Sequence, residues 1–454
     1  MSCVTSDAGR RRRTVRSTRV PTSPSLITAA LISLLLTACG GGDGGSSATR
    51  VEAVTDTVEG VERLSYPESG VPALAWAFDT TALIGGYMVD DPDYQFGRLR
   101  PDWLAADDSG NLYVFDSDAI RVLGYGPDGE LIGRWGREGE GPGEIAAGFG
   151  VGSIAVGPAD TLWIADRPNQ RFTLIPLAAD ASPTSIPLTE DSEGFTMVRQ
   201  LVVDSLGPIG QMSSFVFDRE ADTRPPEILV RFRRVNDDLS RDTIYSATPN
   251  HLKIAQFSSG GREMFFSIGM QFEPQLSWAH FSDGGLAVQD GAEYEIRLLE
   301  PDGSLQRIIR RAPAPRPTTD ADRQAVIDRV LAPPEDGTGN GDDAGAAELR
   351  QARADALYFA EVIPRIIELR IDAQDRLWVG VAGSEPSEVG RIDVYDRDGT
   401  LLGELADLPM PARFFGRDRA VVLGEDELDV QQIKILRLVE DPEALESAAG
   451  AAAD

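Results

Sequence analysis

The sequence predicts an all-β protein that folds as a six-bladed β-propeller, and repeated features carry this prediction. A Gly/Asp turn followed by a strand of alternating polarity recurs at residues 107–116 (DDSGNLYVFD), 157–166 (GPADTLWIAD), 282–290 (SDGGLAVQD) and 372–381 (DAQDRLWVGV). Asp-Gly hairpin signals follow at residues 128–129, 302–303 and 398–399. Leu112 and Leu162 are 50 residues apart, which is close to the length of a four-stranded blade.

The spacing of the motifs places the other blades. Leu286 and Leu377 are 91 residues apart, which predicts one blade plus an insertion at residues 311–364. Residues 413–438 contain the strands of a further blade. Residues 198–247 are rich in β-formers but lack the turn signature, so they are expected to form a degenerate blade.

One segment is expected to close the ring. The sequence LIGGY at residues 83–87 matches LIGRW at residues 131–135, which belongs to the outer strand of a blade. Residues 76–85 therefore resemble an outer strand that precedes the first complete blade. We expect this strand to complete the last blade, because a closed ring leaves few exposed strand edges.

Residues 1–38 have the pattern of an export signal. Six arginines and one aspartate accompany an apolar run at residues 26–36 that is too short to span a bilayer. The run ends in LTACG, which resembles the lipobox of bacterial lipoproteins. The resemblance implies a signal peptide at 1–38, lipidation of Cys39, and a cell-envelope protein that is anchored to a membrane only by its lipid and faces the periplasm or the exterior. The alternative is an ordinary secretory signal with a chance cysteine at its cleavage site.

Charge and cysteine content exclude several classes of protein. The 454 residues carry a net charge of −30, and the chain that follows the basic leader carries −35. Such a chain repels phosphate backbones, so we expect no nucleic-acid partner. With two cysteines, neither a disulfide scaffold nor a Cys-rich zinc fold is possible.

Composition also sets the expected domain boundaries. Residues 39–60 are small and polar and are expected to form a flexible tether, whereas residues 441–454 form an Ala-rich disordered tail. The propeller is expected over residues 61–440, as a monomer.

The insertion at residues 311–364 is expected to be a helical hairpin. Apolar positions at helical spacing predict helices over residues 318–331 and 346–363, separated by a polar, glycine-rich stretch. The hairpin is expected over the central channel or its rim. It could be a lid or a partner-binding surface, or it could simply cover exposed blade edges.

Residues 107–144 carry a resemblance to a known family. DDSGNLYVFD, RVLGYGPDG and GRWGREGEGPGE are similar to NHL-type repeats, especially those of bacterial six-bladed β-propeller lipoproteins. The match is good over residues 100–175, fair over 277–438 and poor over 190–270. The resemblance implies the fold but no particular activity, because ligands and activities differ between members.

Propeller geometry gathers the chemically varied loops on one face. Strands A to D of each blade run outward from the axis, so the B–C loops and the connectors between blades share one face, which we call the connector face. The A–B and C–D turns share the other, the turn face. The binding candidates on the connector face are Asp116, Asp118, Arg121, Arg137, Glu138, Glu140, Glu144, Asp166, Asn169, Arg171 and Arg391.

Two interpretations of these residues remain open. Arg121, Arg171 and Arg391 begin strand C in three blades and could recognise a carboxylate or sulfate by bidentate hydrogen bonding. Alternatively, each could pair with a loop acid such as Asp116, Asp118 or Asp166 and lock its own blade. The acids of the connector GREGEGPGE could likewise bind a cation or polar ligand, or could be solvated charges in a turn-rich segment.

The sequence favours a binding module for a protein, peptide or glycan over an enzyme. No nucleophile elbow, HExxH, paired-Cys or P-loop pattern occurs, and His251 and His280 lie in unlike contexts that favour structural roles. No catalytic residue or cofactor is therefore assigned. The alternative is a divalent-metal-dependent hydrolase or lyase. Some propeller enzymes of the gluconolactonase and paraoxonase types hold a divalent ion with acids at the channel, and the acids here permit Ca²⁺ without defining its ligands.

Overall fold

The described part of the chain contains thirty strands and two α-helices. The computed structural model describes residues 51–147, 151–178, 181–188, 195–215, 221–235, 238–259, 262–333 and 344–440. The leader, Cys39 and the tail at 441–454 lie outside the described residues. The strands are β1 (Val54–Val58), β2 (Val61–Tyr66), β3 (Ala77–Gly85), β4 (Leu104–Ala106), β5 (Leu112–Asp116), β6 (Arg121–Tyr125), β7 (Leu131–Trp135), β8 (Ile154–Gly157), β9 (Thr161–Asp166), β10 (Arg171–Pro176), β11 (Thr184–Pro187), β12 (Phe195–Asp204), β13 (Gly207–Phe215), β14 (Ile228–Val235), β15 (Asp238–Ser246), β16 (Leu252–Ser259), β17 (Arg262–Gly269), β18 (Ser277–His280), β19 (Leu286–Gln289), β20 (Glu295–Leu299), β21 (Leu305–Arg311), β22 (Arg316–Pro317), β23 (Val362–Ile363), β24 (Ile366–Ile371), β25 (Leu377–Ala382), β26 (Val389–Tyr395), β27 (Leu401–Leu405), β28 (Arg413–Phe415), β29 (Arg419–Glu425) and β30 (Gln431–Val439), and the helices are α1 (Asp320–Leu331) and α2 (Ala344–Ala356).

Strand pairing assembles six blades, which confirms the predicted fold class. Blades 1 to 3 are β4–β7, β8–β11 and β12–β15, blades 4 and 5 are built on β18–β21 and β24–β27, and blade 6 contains β28–β30 and β3. Blade 3 is the degenerate blade expected at residues 198–247.

The blades pack against one another through six separate apolar clusters, one at each junction of the ring. Tyr113 and Ile154 meet between blades 1 and 2, and Phe172 and Phe232 meet between blades 2 and 3. The remaining clusters join blades 3 to 4, 4 to 5, 5 to 6 and 6 to 1. Burial between blades therefore holds the ring together, as expected when each sheet covers the faces of its neighbours.

The N-terminal strand β3 closes the ring as the sequence predicts. It pairs antiparallel with β30, with Phe78 opposite Leu438 and Ile84 opposite Ile433. Ile84 is fully buried and belongs to the cluster between blades 6 and 1. Both ends of the folded chain thus contribute strands to blade 6.

The predicted tether at residues 39–60 is wrong in its last part. Val54–Val58 forms β1, which pairs with β2, and β2 runs parallel to β21 on the outer edge of blade 4. Leu64 and Tyr66 are buried in the cluster between blades 4 and 5. The edge of β21 offers unpaired backbone groups, and this tertiary partner orders a segment whose own composition is polar.

The helical insertion is present, but its second helix is shorter than predicted. The expected helix at residues 346–363 ends at Ala356, and Val362–Ile363 instead pairs with Arg316–Pro317 at the base of the insertion. The first helix starts with a capping box between Thr319 and Asp322. Arg316 donates hydrogen bonds of 2.7 and 2.8 Å to the same Asp322, which fixes the start of α1 to the base.

Candidate functional site

An ion pair between Asp116 and Arg121 fixes the loops on the connector face of blade 1. Buried Asp116 accepts hydrogen bonds from the backbone of Asp118 at 3.1 Å and from Arg121 Nε at 2.9 Å. Arg121 also donates to Asp93 at 2.7 Å. The hydrogen bond from Arg134 is the main reason that the pKa of Asp93 lies below its usual value. Arg121 is therefore engaged inside its blade, while Asp118 is exposed.

Blade 2 contains the same kind of aspartate–arginine pair, and its arginine also holds the connector that joins blades 1 and 2. Arg171 Nε lies 3.3 Å from the fully buried Asp166. Its remaining guanidinium atoms donate to the carbonyls of Glu140, Gly141 and Glu144 at 2.7, 3.0 and 2.9 Å. Asn169 donates to Asp166 at 2.8 Å. These contacts place the predicted binding residues of blade 2 in a structural network.

The tip of the connector remains open to solvent. Glu138 and Glu140 are exposed, and Arg137 keeps 79% of its side-chain surface exposed while pairing with Glu144 at 2.6 Å. A backbone hydrogen bond from Gly141 and the Arg137 pair lower the pKa of Glu144. These side chains are the part of the predicted set that a ligand can reach, and their role in binding stays a prediction.

Arg391 belongs to a buried charge network between blades 4 and 5. It donates to fully buried Asp393 at 2.9 Å, and Arg311 forms an ion pair with the same carboxylate at 2.6 Å. Tyr294 donates to Asp393 at 2.7 Å. Burial and then the Asp393 charge raise the pKa of Tyr294 far above its usual value. Arg121 and Arg171 thus pair with acids of their own blades, as the second interpretation expects, whereas Arg391 pairs with Asp393 of its own strand β26.

A second insertion on the connector face was missed by the sequence analysis. Strands β16 and β17 form a hairpin in the connector between blades 3 and 4. It joins the helical insertion through hydrogen bonds of 2.9 Å between Gln271 and both Tyr358 and Ala360, and through the paired rings of Phe272 and Phe359. We call the two insertions together the appendage. The alternating pattern of residues 252–259 could have indicated this hairpin. In the sequence, however, these residues follow the strands of the degenerate blade closely and are not distinguished from them.

The innermost strands surround a channel cavity of about 240 Å³. Its lining comes from the first strands of blades 3 to 6 and from the segment before β4. Asp102, Arg370 and Arg413 contribute charges to this lining. These residues were not predicted from the sequence, although an arginine lies in or just before the innermost strand of four blades.

Both histidines are held by carboxylates. His280 at the end of β18 contacts Asp204 at 2.9 Å, and His251 contacts Glu273 at 2.6 Å. Burial alone would raise the pKa of Asp204, but hydrogen bonds from His280 and Arg231 hold it at about 2. Arg231 is buried and lies 2.8 Å from Asp204, so this group links blades 3 and 4 at the axis.

Among the described residues, no group of three or more His, Cys, Asp or Glu side chains is arranged to hold a metal ion. In the same part of the chain, no helix combines the length and the apolar character needed to cross a membrane.

The solved structures named below resemble this chain only weakly. No protein-family model and no curated protein matches the sequence, so the resemblance to NHL-type lipoproteins stays a prediction. A DUF4221-family protein from Bacteroides vulgatus is similar in structure, with a TM-score of 0.47 and 10% identity over 80% of this chain and 98% of that chain. A Bacteroides fragilis protein named as exported gives 0.43 and 10% over 83% and 99%. A gluconolactonase from Xanthomonas campestris gives 0.40 and 14% over 82% and 96%.

The fold and the site together define a class of protein. This chain is a closed six-bladed β-propeller with an appendage on its connector face and a charged central channel. That assignment rests on the strand pairing and the interblade clusters of the chain itself.

Proposed function

We propose that this chain is a lipid-anchored, extracytoplasmic binding module of the bacterial cell envelope, which takes its ligand on the connector face. The observation that supports this most is the convergence of both large insertions on that face. They leave from different blade connectors, yet they join into one appendage through Gln271, Phe272 and Phe359. Binding residues are commonly carried by loops that a rigid scaffold positions.

A polypeptide is the proposed ligand. In the described part of the chain, β17 pairs only with β16, so the hairpin offers a strand edge to which an extended peptide can add. A groove of about 130 Å³ runs beside the hairpin and is lined by Arg199, Arg224, Glu227 and Asn250, among others. These side chains offer charged and amide groups for specificity, and a glycan is the other outcome of the test.

Replacing the helical part of the appendage is expected to abolish ligand capture. Pro317 and Val362 are neighbours in a strand pair, so a short Gly-Ser loop can replace residues 318–361 without moving the blades. The matched control neutralises the exposed turn-face acids Asp128 and Asp398. Affinity capture from envelope extract, with mass spectrometry of the bound material, is the measurement. Equal capture by both variants would contradict the proposal.

The proposed anchor has its own test. Cys39→Ser is expected to move the protein from the membrane fraction to the soluble fraction and to abolish incorporation of labelled palmitate. Cys3→Ser lies in the leader and serves as the control that leaves both unchanged. Membrane retention by the Cys39→Ser variant would show that the lipobox resemblance is accidental.

The proposed site uses no metal ion. A stoichiometric Ca²⁺ in the purified protein, together with a thermal shift on its addition, would instead favour the hydrolase or lyase alternative.

A further inference from the structure

The charge at the centre of the ring is opposite in sign to that of the whole chain. Arg100, Arg199, Arg370 and Arg413 come from blades 1, 3, 5 and 6, and each lies in or just before an innermost strand. All four are close enough to Asp102 for their charges to lower its pKa, although burial, the largest effect, raises it overall. Four guanidinium groups thus act electrostatically on one carboxylate in a protein whose net charge is −30.

Three of these four arginines lie near an acidic side chain. Arg370 lies 2.6 Å from Glu368, Arg199 lies 3.7 Å from Glu227, and Arg100 lies 3.5 Å from Asp102. Arg370 also donates to the carbonyl of Ala412 at 3.1 Å, which brings it beside Arg413. The charges of blades 5 and 6 are therefore adjacent at the channel wall.

Arg413 is the exception. Within the described part of the chain, its guanidinium has neither an ion pair nor a hydrogen bond, and its Nε atom is buried. Burial, and then the neighbouring charge of Arg370, lower the pKa of Arg413 to about 10, so it stays charged at neutral pH. Arg413 as a whole is partly buried. A buried donor without a partner is costly, and such a site is relieved when an anion supplies the missing acceptor.

We propose that the channel cavity binds a small oxyanion, of the carboxylate, sulfate or phosphate type, between Arg413 and Arg370. Arg413 suits this role because the planar donors of an arginine match two oxygens of such a group. Arg370 adds its charge, since its three guanidinium nitrogens already contact Glu368, Leu369 and Ala412. Gln200 lines the same cavity, and its amide nitrogen, which gives one hydrogen bond of 3.4 Å to the carbonyl of Trp278, has a second donor hydrogen. The volume of about 240 Å³ lies below the usual range for drug-sized ligands, so the ligand or its bound group is small.

This inference goes beyond the proposed function and does not depend on it. The anion site lies within the ring and would persist if no partner bound the appendage. Conversely, loss of anion binding would leave the proposed role of the connector face intact.

Calorimetric titration of the full, detergent-solubilised chain tests the proposal. The probes are sodium phosphate, sodium sulfate and sodium succinate, each measured against sodium chloride at equal ionic strength. We expect saturable binding of at least one probe, and the tightest probe identifies the chemical source of the group. Arg413→Gln is expected to weaken this binding about tenfold to hundredfold, the usual worth of a hydrogen bond to a charged group. Arg437→Gln, which removes an exposed arginine from an outer position of the same blade, is the control.

A second variant keeps the proposal falsifiable if Arg413→Gln fails to fold. Asp102→Asn removes the carboxylate that competes with the anion, so it is expected to tighten binding by about tenfold. The proposal is overturned if no probe binds more tightly than chloride. It is also overturned if the Arg413→Gln and Arg437→Gln variants bind the probe with equal affinity, or if Asp102→Asn does not increase the affinity.

Discussion

Removing residues 1–85 is expected to abolish the cooperative unfolding transition of the propeller. This deletion removes β3, which supplies the outer strand of blade 6 and pairs with β30 along its length. It also removes buried Ile84, and with it Trp76 and Phe78, which pack on the fully buried Trp378 of blade 5. Loss of buried Ile84 alone costs about 2–5 kcal/mol. Together with the loss of the partly buried Trp76 and Phe78 and of the β3–β30 pairing, the cost is comparable with the whole stability of an ordinary domain.

Two shorter deletions are the controls for ring closure. A chain that lacks residues 1–48 keeps every described strand, and it should unfold as the full chain does. A chain that lacks residues 1–66 loses only β1 and β2 from the edge of blade 4, so a weaker but still cooperative transition is expected. Thermal unfolding followed by circular dichroism measures all three. If the chain lacking residues 1–85 unfolds cooperatively at the same temperature as the chain lacking residues 1–66, closure of the ring by β3 is refuted.

Asp393→Ala is expected to lower the free energy of unfolding by about 3–5 kcal/mol, because it removes the partner of a buried cation. Arg311 has no exposed side-chain surface and lies 2.6 Å from this carboxylate. Arg391 and Tyr294 also lose their shared acceptor. Glu404 remains as a partner of Arg311, but it is itself partly exposed. Urea unfolding of the variant gives the loss directly.

The matched control removes an aspartate from an exposed pair. Asp79 and Arg437 lie 2.7 Å apart on the outside of blade 6, with about half of each side chain exposed. Asp79→Ala is therefore expected to cost only about 0.2–1 kcal/mol. A loss for Asp393→Ala no larger than this would mean that the buried network contributes little to the contact between blades 4 and 5.

The parts of the fold that could be predicted are those with backbone-specific turns. Gly129, Gly303 and Gly399 all have φ between 81° and 88°, a conformation that glycine adopts without a steric cost. These turns mark blades 1, 4 and 5 in the sequence. Blade 3 lacks them, so only its β-rich composition was visible. The pair β1–β2 was missed because its strands are ordered by the edge of β21, a contact 245 residues away in sequence that no local pattern encodes.

The pairing of the strand-C arginines with aspartates could be predicted in part, but the meeting of the arginines in the channel could not. Arg121 and Arg171 each follow their aspartate by five residues, across a B–C loop, so the pairing with Asp116 and Asp166 could be proposed as one alternative. The arginines of the channel lie far apart in sequence, and their short innermost strands carry no distinctive spacing. Their proximity results from the circular arrangement of the blades, which only the closed ring shows.

The central claim is that the connector face, and not the turn face, receives the ligand. Cys39 is the only cysteine after the leader, and the proposed lipid blocks its thiol, so a second cysteine can carry a unique photoreactive label. The variants are E140C, at the exposed tip of the connector, and D128C, at an exposed turn on the opposite face. After illumination of intact cells, we expect a cross-linked partner from E140C and none from D128C. A partner captured from D128C alone, or equally from both positions, would contradict the account.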